Sequence, residues 1–122
     1  MSTLRVNSLL NAAGTDTPAI DGLAKAWVNF NGTGTVAIRE QFNVSSITDN
    51  GTGTYTVNFT NAMPDANYAV AFAAEDSSNT EGYAFVGLPN PGNRTTTQCP
   101  IKTTRLNVGT VDSPAICASV FR

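Results

Sequence analysis

From Lys25 onward, apolar and polar residues alternate with a period of two, and this period limits the fold more than any other feature. Thr54 to Thr60 reads TYTVNFT, placing Tyr55, Val57 and Phe59 on one side of an extended chain and Thr54, Thr56, Asn58 and Thr60 on the other. A helix would wind that pattern round its whole circumference, whereas a strand gathers it into one apolar face. Asn67 to Ala74 (NYAVAFAA) sets Tyr68, Val70 and Phe72 against a face of alanines, small enough for a second layer to approach closely. Further strand candidates are Ala26–Phe30, Thr35–Arg39, Gln41–Val44, Glu81–Leu88, Thr97–Val108 and Pro114–Phe121. About seven strands of ordinary length between Gly, Asn, Asp and Pro turns predict an all-β chain. The expected form is an antiparallel β-sandwich or a jelly-roll-like barrel with an extended N-terminal arm. Composition agrees. Thr, Asn, Gly and Ser supply 48 of the 122 residues, leucine occurs six times, and charged residues are 13%, about half the ~25% usual for a globular domain.

The pentapeptide Asn-Gly-Thr-Gly-Thr occurs twice, at Asn31–Thr35 and Asn50–Thr54, each time leading into a strand. Asn-Gly is the strongest short hairpin signal, because both residues tolerate the positive φ of a type I′ turn. A phosphate-cradling glycine loop would precede a helix and usually carry a lysine, and neither condition holds here. Two hairpins are therefore expected.

Residues 1–24 read differently from 25–122. Leu4, Val6, Leu9 and Leu10 form a short apolar segment, followed by the turn-forming stretch Asn11 to Pro18. The segment is too short for a core of its own, so it is expected to be a docking or assembly arm. The β-domain is expected over 25–122.

Several chemistries are excluded by residue type. Histidine is absent, which removes imidazole-based hydrolytic mechanisms and His-ligated zinc. A net charge of −2 with seven scattered cations offers no field for nucleic acid. No apolar run approaches the ~20 residues of a membrane span, so no membrane insertion is expected. The N-terminus lacks the apolar core of a signal peptide, which predicts synthesis in a cytoplasm. The acids are scattered, mostly in turns. In Glu75–Glu81 the ligand spacing and glycine of a calcium loop are missing. No catalytic, metal-ligating or cofactor-binding residue is assigned, and the chain is expected not to be an enzyme. Five Asn-X-Ser/Thr sequons, at Asn31, Asn43, Asn50, Asn58 and Asn93, follow from the abundance of Asn and Thr.

Cys99 and Cys117 lie in the last two strand candidates. A hairpin turning through Val108–Ser113 would set them opposite each other, in a register that allows a cross-strand disulfide. A reducing cytoplasm predicts two buried thiols instead. Trp27, on an alternating strand, is expected in the core or at a subunit contact. Exposed recognition is expected at turn tips, where Ser77, Asn79, Tyr83, Asn90, Asn93 and Arg94 offer amide, hydroxyl and planar groups suited to a surface glycan. Leu4, Val6, Leu9, Leu10 and Trp27 are the assembly candidates.

Ala26 to Arg39 (AWVNFNGTGTVAIR), Phe42 to Thr60 (FNVSSITDNGTGTYTVNFT) and Ala62 to Val70 (AMPDANYAV) together resemble a module found in tail fibres and other virion proteins of tailed phages. Ser2 to Asn7 (STLRVN) is similar to the short segments that open many fibre modules. The resemblance implies a virion structural protein, a homotrimer at the host-contacting end of a tail appendage, joined to other virion proteins. It supplies no catalytic residues. Fibres usually carry a long shaft, so 122 residues are expected as a stand-alone tip, a short fibre or a capsid decoration protein. A free carbohydrate-binding module is the further alternative.

Overall fold

The alternation of side chains becomes nine strands in a computed structural model that describes residues 2–3, 22–75, 84–87 and 93–122. They are β1 (Ala26–Asn31), β2 (Ala37–Phe42), β3 (Val44–Asp49), β4 (Thr54–Phe59), β5 (Ala69–Ala74), β6 (Ala84–Gly87), β7 (Gln98–Arg105), β8 (Gly109–Thr110) and β9 (Ile116–Phe121). Sheet I has the order β2-β1-β9-β5, and sheet II the order β3-β4-β7-β6 with β8 paired to β7. Every pairing is antiparallel. β2 lies beside β3 and β5 beside β6, so the sheets approach each other at both edges. The expected all-β sandwich is the observed fold.

The core lies between the sheets. Sheet I contributes Ala26, Val28 and Phe30 from β1 with Ile116, Ala118 and Val120 from β9. Sheet II contributes Val44, Tyr55, Val57 and Phe59 with Cys99 and Ile101. Phe30 meets Tyr55 edge-on at 5.3 Å between ring centroids, and Phe59 meets Tyr68 edge-on at 5.8 Å. Such pairs add ~0.5–1.5 kcal/mol each to the area they bury.

Between β2 and β3 the chain crosses from one sheet to the other at Asn43, whose φ is 55°. Its amide nitrogen donates to the carbonyls of Lys25 (3.0 Å) and Asn61 (3.1 Å), and its Oδ1 accepts from Asn61 N–H (2.7 Å). A short amide side chain tolerates the left-handed region and satisfies the backbone there. Asn43, Asn50 and Asn58 all stand in sequons, and all three use their amides in internal hydrogen bonds.

The two NGTGT segments do form hairpin loops, but not type I′ turns with asparagine at positive φ. Among the described residues, the non-glycine residues with positive φ are Asn43 and Asn107. Asn31 instead accepts from the Thr33 N–H (3.1 Å) and hydroxyl (2.7 Å), closing a local side-chain turn. In the second copy Asp49 caps Gly51 N–H (2.9 Å), and Gly51 itself takes φ +116°. Only the second glycine matches: φ is +62° at Gly34 and +63° at Gly53.

Both loops reach the same end of the sandwich and are joined there. The Tyr55 hydroxyl lies 2.9 Å from Gly32 O and 2.8 Å from Asp112 Oδ1, sharing its proton between these acceptors. Asp112 Oδ1 also accepts from Gly53 N–H at 2.7 Å. Gly32 N–H donates to Ser113 O (2.9 Å), and Thr103 N–H to Gly53 O (2.8 Å).

The expected hairpin opposing Cys99 to Cys117 is not formed. Leu106–Val108 turns β7 back onto β8, and the chain then crosses to sheet I. Cys99 pairs with Val57 in sheet II, while Cys117 pairs with Asn29 and Ala73 in sheet I. Both are free thiols, and only Cys99 is buried. A second difference concerns Gln41–Val44 and Thr35–Arg39, expected as two strands. Residues 37–42 form the single strand β2, Asn43 is the corner, and Val44 starts β3 on the other sheet.

The two equivalent glycines separate backbone conformation from crowding. At Gly53 a Cβ would sit 2.6 Å from Val111 O and 2.7 Å from Thr103 O, whereas at Gly34 it meets nothing. Gly34→Ala should cost about 1–2 kcal/mol for its left-handed backbone alone. Gly53→Ala should cost about 3 kcal/mol or more, because fixed backbone atoms must also move. Urea midpoints check this; equal losses would show that φ alone sets the requirement.

Candidate functional site

The outer faces of the two sheets differ in chemistry. On sheet II the alternation that buries Tyr55, Val57 and Phe59 turns Thr54, Thr56 and Asn58 outward. The Asn58 amide donates to Ser46 Oγ (3.0 Å) and Thr48 Oγ1 (2.9 Å), and Gln98 Nε2 donates to Asn58 Oδ1 (3.1 Å). Asn50 donates to Thr56 Oγ1 at 2.8 Å. Lys102 of β7 stands on the same face, opposite Thr54, beside this network of amides and hydroxyls.

Sheet I presents the opposite character. Trp27 stands directly across from Phe42 on β2, and the two are 36% and 55% exposed. On the far edge, β5 turns Ala69, Ala71 and Ala73 outward, opposite Phe121, Ser119 and Cys117 of β9. The face is an aromatic ridge beside an alanine stripe, separated by the Ser119–Cys117 column. Trp27 is therefore excluded from the core, because its neighbours Ala26 and Val28 take the inward positions.

Past Phe42 the apolar surface continues into a groove of about 480 Å³, lined by Leu23, Phe42, Ala62, Met63 and Pro64. Arg122 stands at its rim and grips Asp65 at 2.6 Å, which pulls the Asp65 carboxyl down to about 2. At the opposite end of the sheet, Arg39 lies over β1, donating to Asn29 Oδ1 (3.3 Å) and Pro114 O (2.5 Å).

Of the turn-tip candidates, Asn93 is exposed and Arg94 half-buried. The Arg94 guanidinium donates to Tyr68 O at 2.8 Å and lies 5.5 Å from the Tyr68 ring centre. It thus braces the segment that leads into β5. Ser77, Asn79, Tyr83 and Asn90 lie outside the described residues, as do Leu4, Val6, Leu9 and Leu10 and all of the Glu75–Glu81 segment but Glu75. Sequence reasoning noticed the alanine face of β5 but missed Phe42 and Phe121. For Phe121 the signal was present in β9, where Cys117, Ser119 and Phe121 alternate with three buried residues. Among the described residues no group of three Cys, Asp or Glu is gathered to hold a metal ion.

Three groups inside the sandwich hold their protons. Burial pushes the Cys99 thiol up to about 11. Burial raises both Tyr55 and Tyr68 above the ordinary tyrosine value, helped at Tyr55 by the Asp112 carboxylate and at Tyr68 by Cys99. The unfolded chain ionises first, so it binds fewer protons than the folded chain above about pH 9, and stability falls there. The urea midpoint should be level between about pH 6 and 8, decline as the unfolded thiol ionises, and drop more steeply above about pH 10 as the tyrosines join. A level midpoint through that range would contradict the protonated interior.

The chain matches no protein-family profile, and no curated protein or solved structure is significantly similar to it.

Proposed function

We propose that this chain is a structural protein of a tailed-phage virion, a tail-fibre (tip) protein that assembles into the tail appendage and contacts the host surface as a homotrimer. The observation that carries this reading is the one-sided surface. A sandwich with one polar face, bonded across strands at Asn58 and Asn50, and one aromatic and alanine face is suited to being built into an assembly. The resemblance to virion modules adds weight, because its segments, 26–39, 42–60 and 62–70, are the ones that build β1 to β4. They contain both glycine loops, the Asn43 corner and the Trp27–Phe42 ridge. Low charge fits the same role, since close-packed copies of one chain repel each other less when each carries only −2. In this reading the protein is made in the host cytoplasm and resides in the virion, with other tail proteins as neighbours and a host surface glycan as the external ligand.

Gold-labelled antibody against the folded protein, applied to intact particles, is expected to mark the tail appendage, and excess free protein to slow adsorption to host cells. Label confined to heads would assign the chain to capsid decoration instead. Particles without label would remove the virion role.

A further inference from the structure

We propose that the outer face of sheet I is where a second copy of this chain packs, with the Trp27–Phe42 ridge of one copy seated on the alanine stripe of the next. The proposal deepens the homo-oligomer named above and rests on that part of the reading. It is independent of the virion assignment.

Two observations favour another copy as the occupant, and a third sets how many contacts it needs. The first is shape. Ridge and stripe lie on one face at opposite edges of the sheet, with Trp27 standing tall on β1 and Ala69, Ala71 and Ala73 leaving room on β5. Packed sheets lie ~10 Å apart with interdigitating side chains, so bulk on one side needs small residues on the other. A symmetry axis along the strands satisfies this condition for every copy at once.

The second is charge. At the end of the sheet that holds the β1–β2 loop, the ridge side carries Arg39 and the stripe side ends in Glu75, both exposed. An axis along the strands keeps like ends together, so Arg39 of one copy comes level with Glu75 of its neighbour. Glu40, equally exposed, stands beside Arg39 opposite Asn29, so it is Arg39 alone of this pair that can attract Glu75.

The third is area. Four strands of six residues make a face of roughly 19 by 20 Å, about 400 Å². That is half of the ~800 Å² each partner usually contributes to a stable interface. The groove from Phe42 to Leu23 and Pro64 extends the ridge side, and a closed ring holds each copy by two contacts rather than one. Two or three copies meet these conditions, and the measured mass reads which.

Cys117 reports on this face and Cys99 serves as the internal control. Cys117 lies on the outer side between ridge and stripe, whereas Cys99 is buried between the sheets. The full-length protein would be followed by sedimentation velocity across the micromolar range, while iodoacetamide labelling is mapped separately at each cysteine. The expected result is a concentration-dependent oligomer. Cys117 should alkylate about tenfold or more slowly in it than in the dilute monomer, with Cys99 unreactive in both. Trp27→Glu and Ala71→Arg should each weaken association by about tenfold or more, while Thr56→Glu on the outer face of sheet II leaves it unchanged. Arg39→Glu should weaken it and the added Glu75→Arg restore it; circular dichroism confirms that each variant is folded.

An oligomer in which Cys117 reacts as fast as in the monomer would overturn this surface while leaving a homotrimer standing. A monomer at every concentration would overturn both. Shielding of Cys117 in a monomer would give the face to another segment of the same chain, and would also overturn the proposal.

Discussion

The shared proton of Tyr55 is the interaction on which much of the sandwich depends. Its hydroxyl reaches from β4 in sheet II to Gly32 in the β1–β2 loop of sheet I and to Asp112 in the crossing from β8 to β9. Asp112 in turn holds Gly53 at the foot of β4. One phenol and one carboxylate thus tie together both glycine loops and the chain's last passage between sheets. The ring of Tyr55 fills the core against Phe30, so the polar contact and the apolar packing share a side chain. Burial of such a group is stabilising only when its hydroxyl is matched, as here. The crowding explains the glycine at position 32, where a Cβ would lie 2.5 Å from the Tyr55 oxygen.

With the interior and one end closed in this way, what remains to be explained is the surface. On sheet II, Asn58 bonds Ser46, Thr48 and Gln98 across strands, and Asn50 bonds Thr56. Sheet I keeps Trp27, Phe42 and Phe121 in solvent, beside alanines that fill no space of their own. Exposing three large aromatic side chains on one face forgoes several kcal/mol of burial, which points to a face that is covered in use. The same asymmetry underlies both the proposed assembly role and the proposed second copy as the occupant.

Much of the fold could be read from residue order. Tyr55, Val57 and Phe59 are buried and Thr54, Thr56 and Asn58 face outward, because a pleated strand has no other way to sort that alternation. The two faces of β5 were legible too, but the alanine face, expected to receive a second layer, is turned outward, because Val70 and Phe72 pack against the core. Pairing was not legible. Cys99 and Cys117 lie on strands that a short connection made to look like neighbours. The two-residue β8 takes the edge position at one end of β7, and the chain crosses to the other sheet. Arg94 reads as a free cation at a turn tip, yet it folds onto Tyr68, a residue far away in sequence.

Residue order by itself determined the strand period and the sorting of side chains into two faces, because these depend on neighbours one or two residues apart. Tertiary structure decided which strands pair, and what each copy of Asn-Gly-Thr-Gly-Thr does. The same five residues take different backbone paths, with Gly51 at φ +116° while Gly32 stays out of the positive range. One copy packs under Tyr55 and the other is held by Asp112 and Asp49. The identical sequence leaves both paths open locally, and contacts from distant strands choose between them. The same holds for Trp27, whose period assigned it a side of its strand but not what that side would face. The neighbouring sheet took the other side, and the tryptophan was left outward.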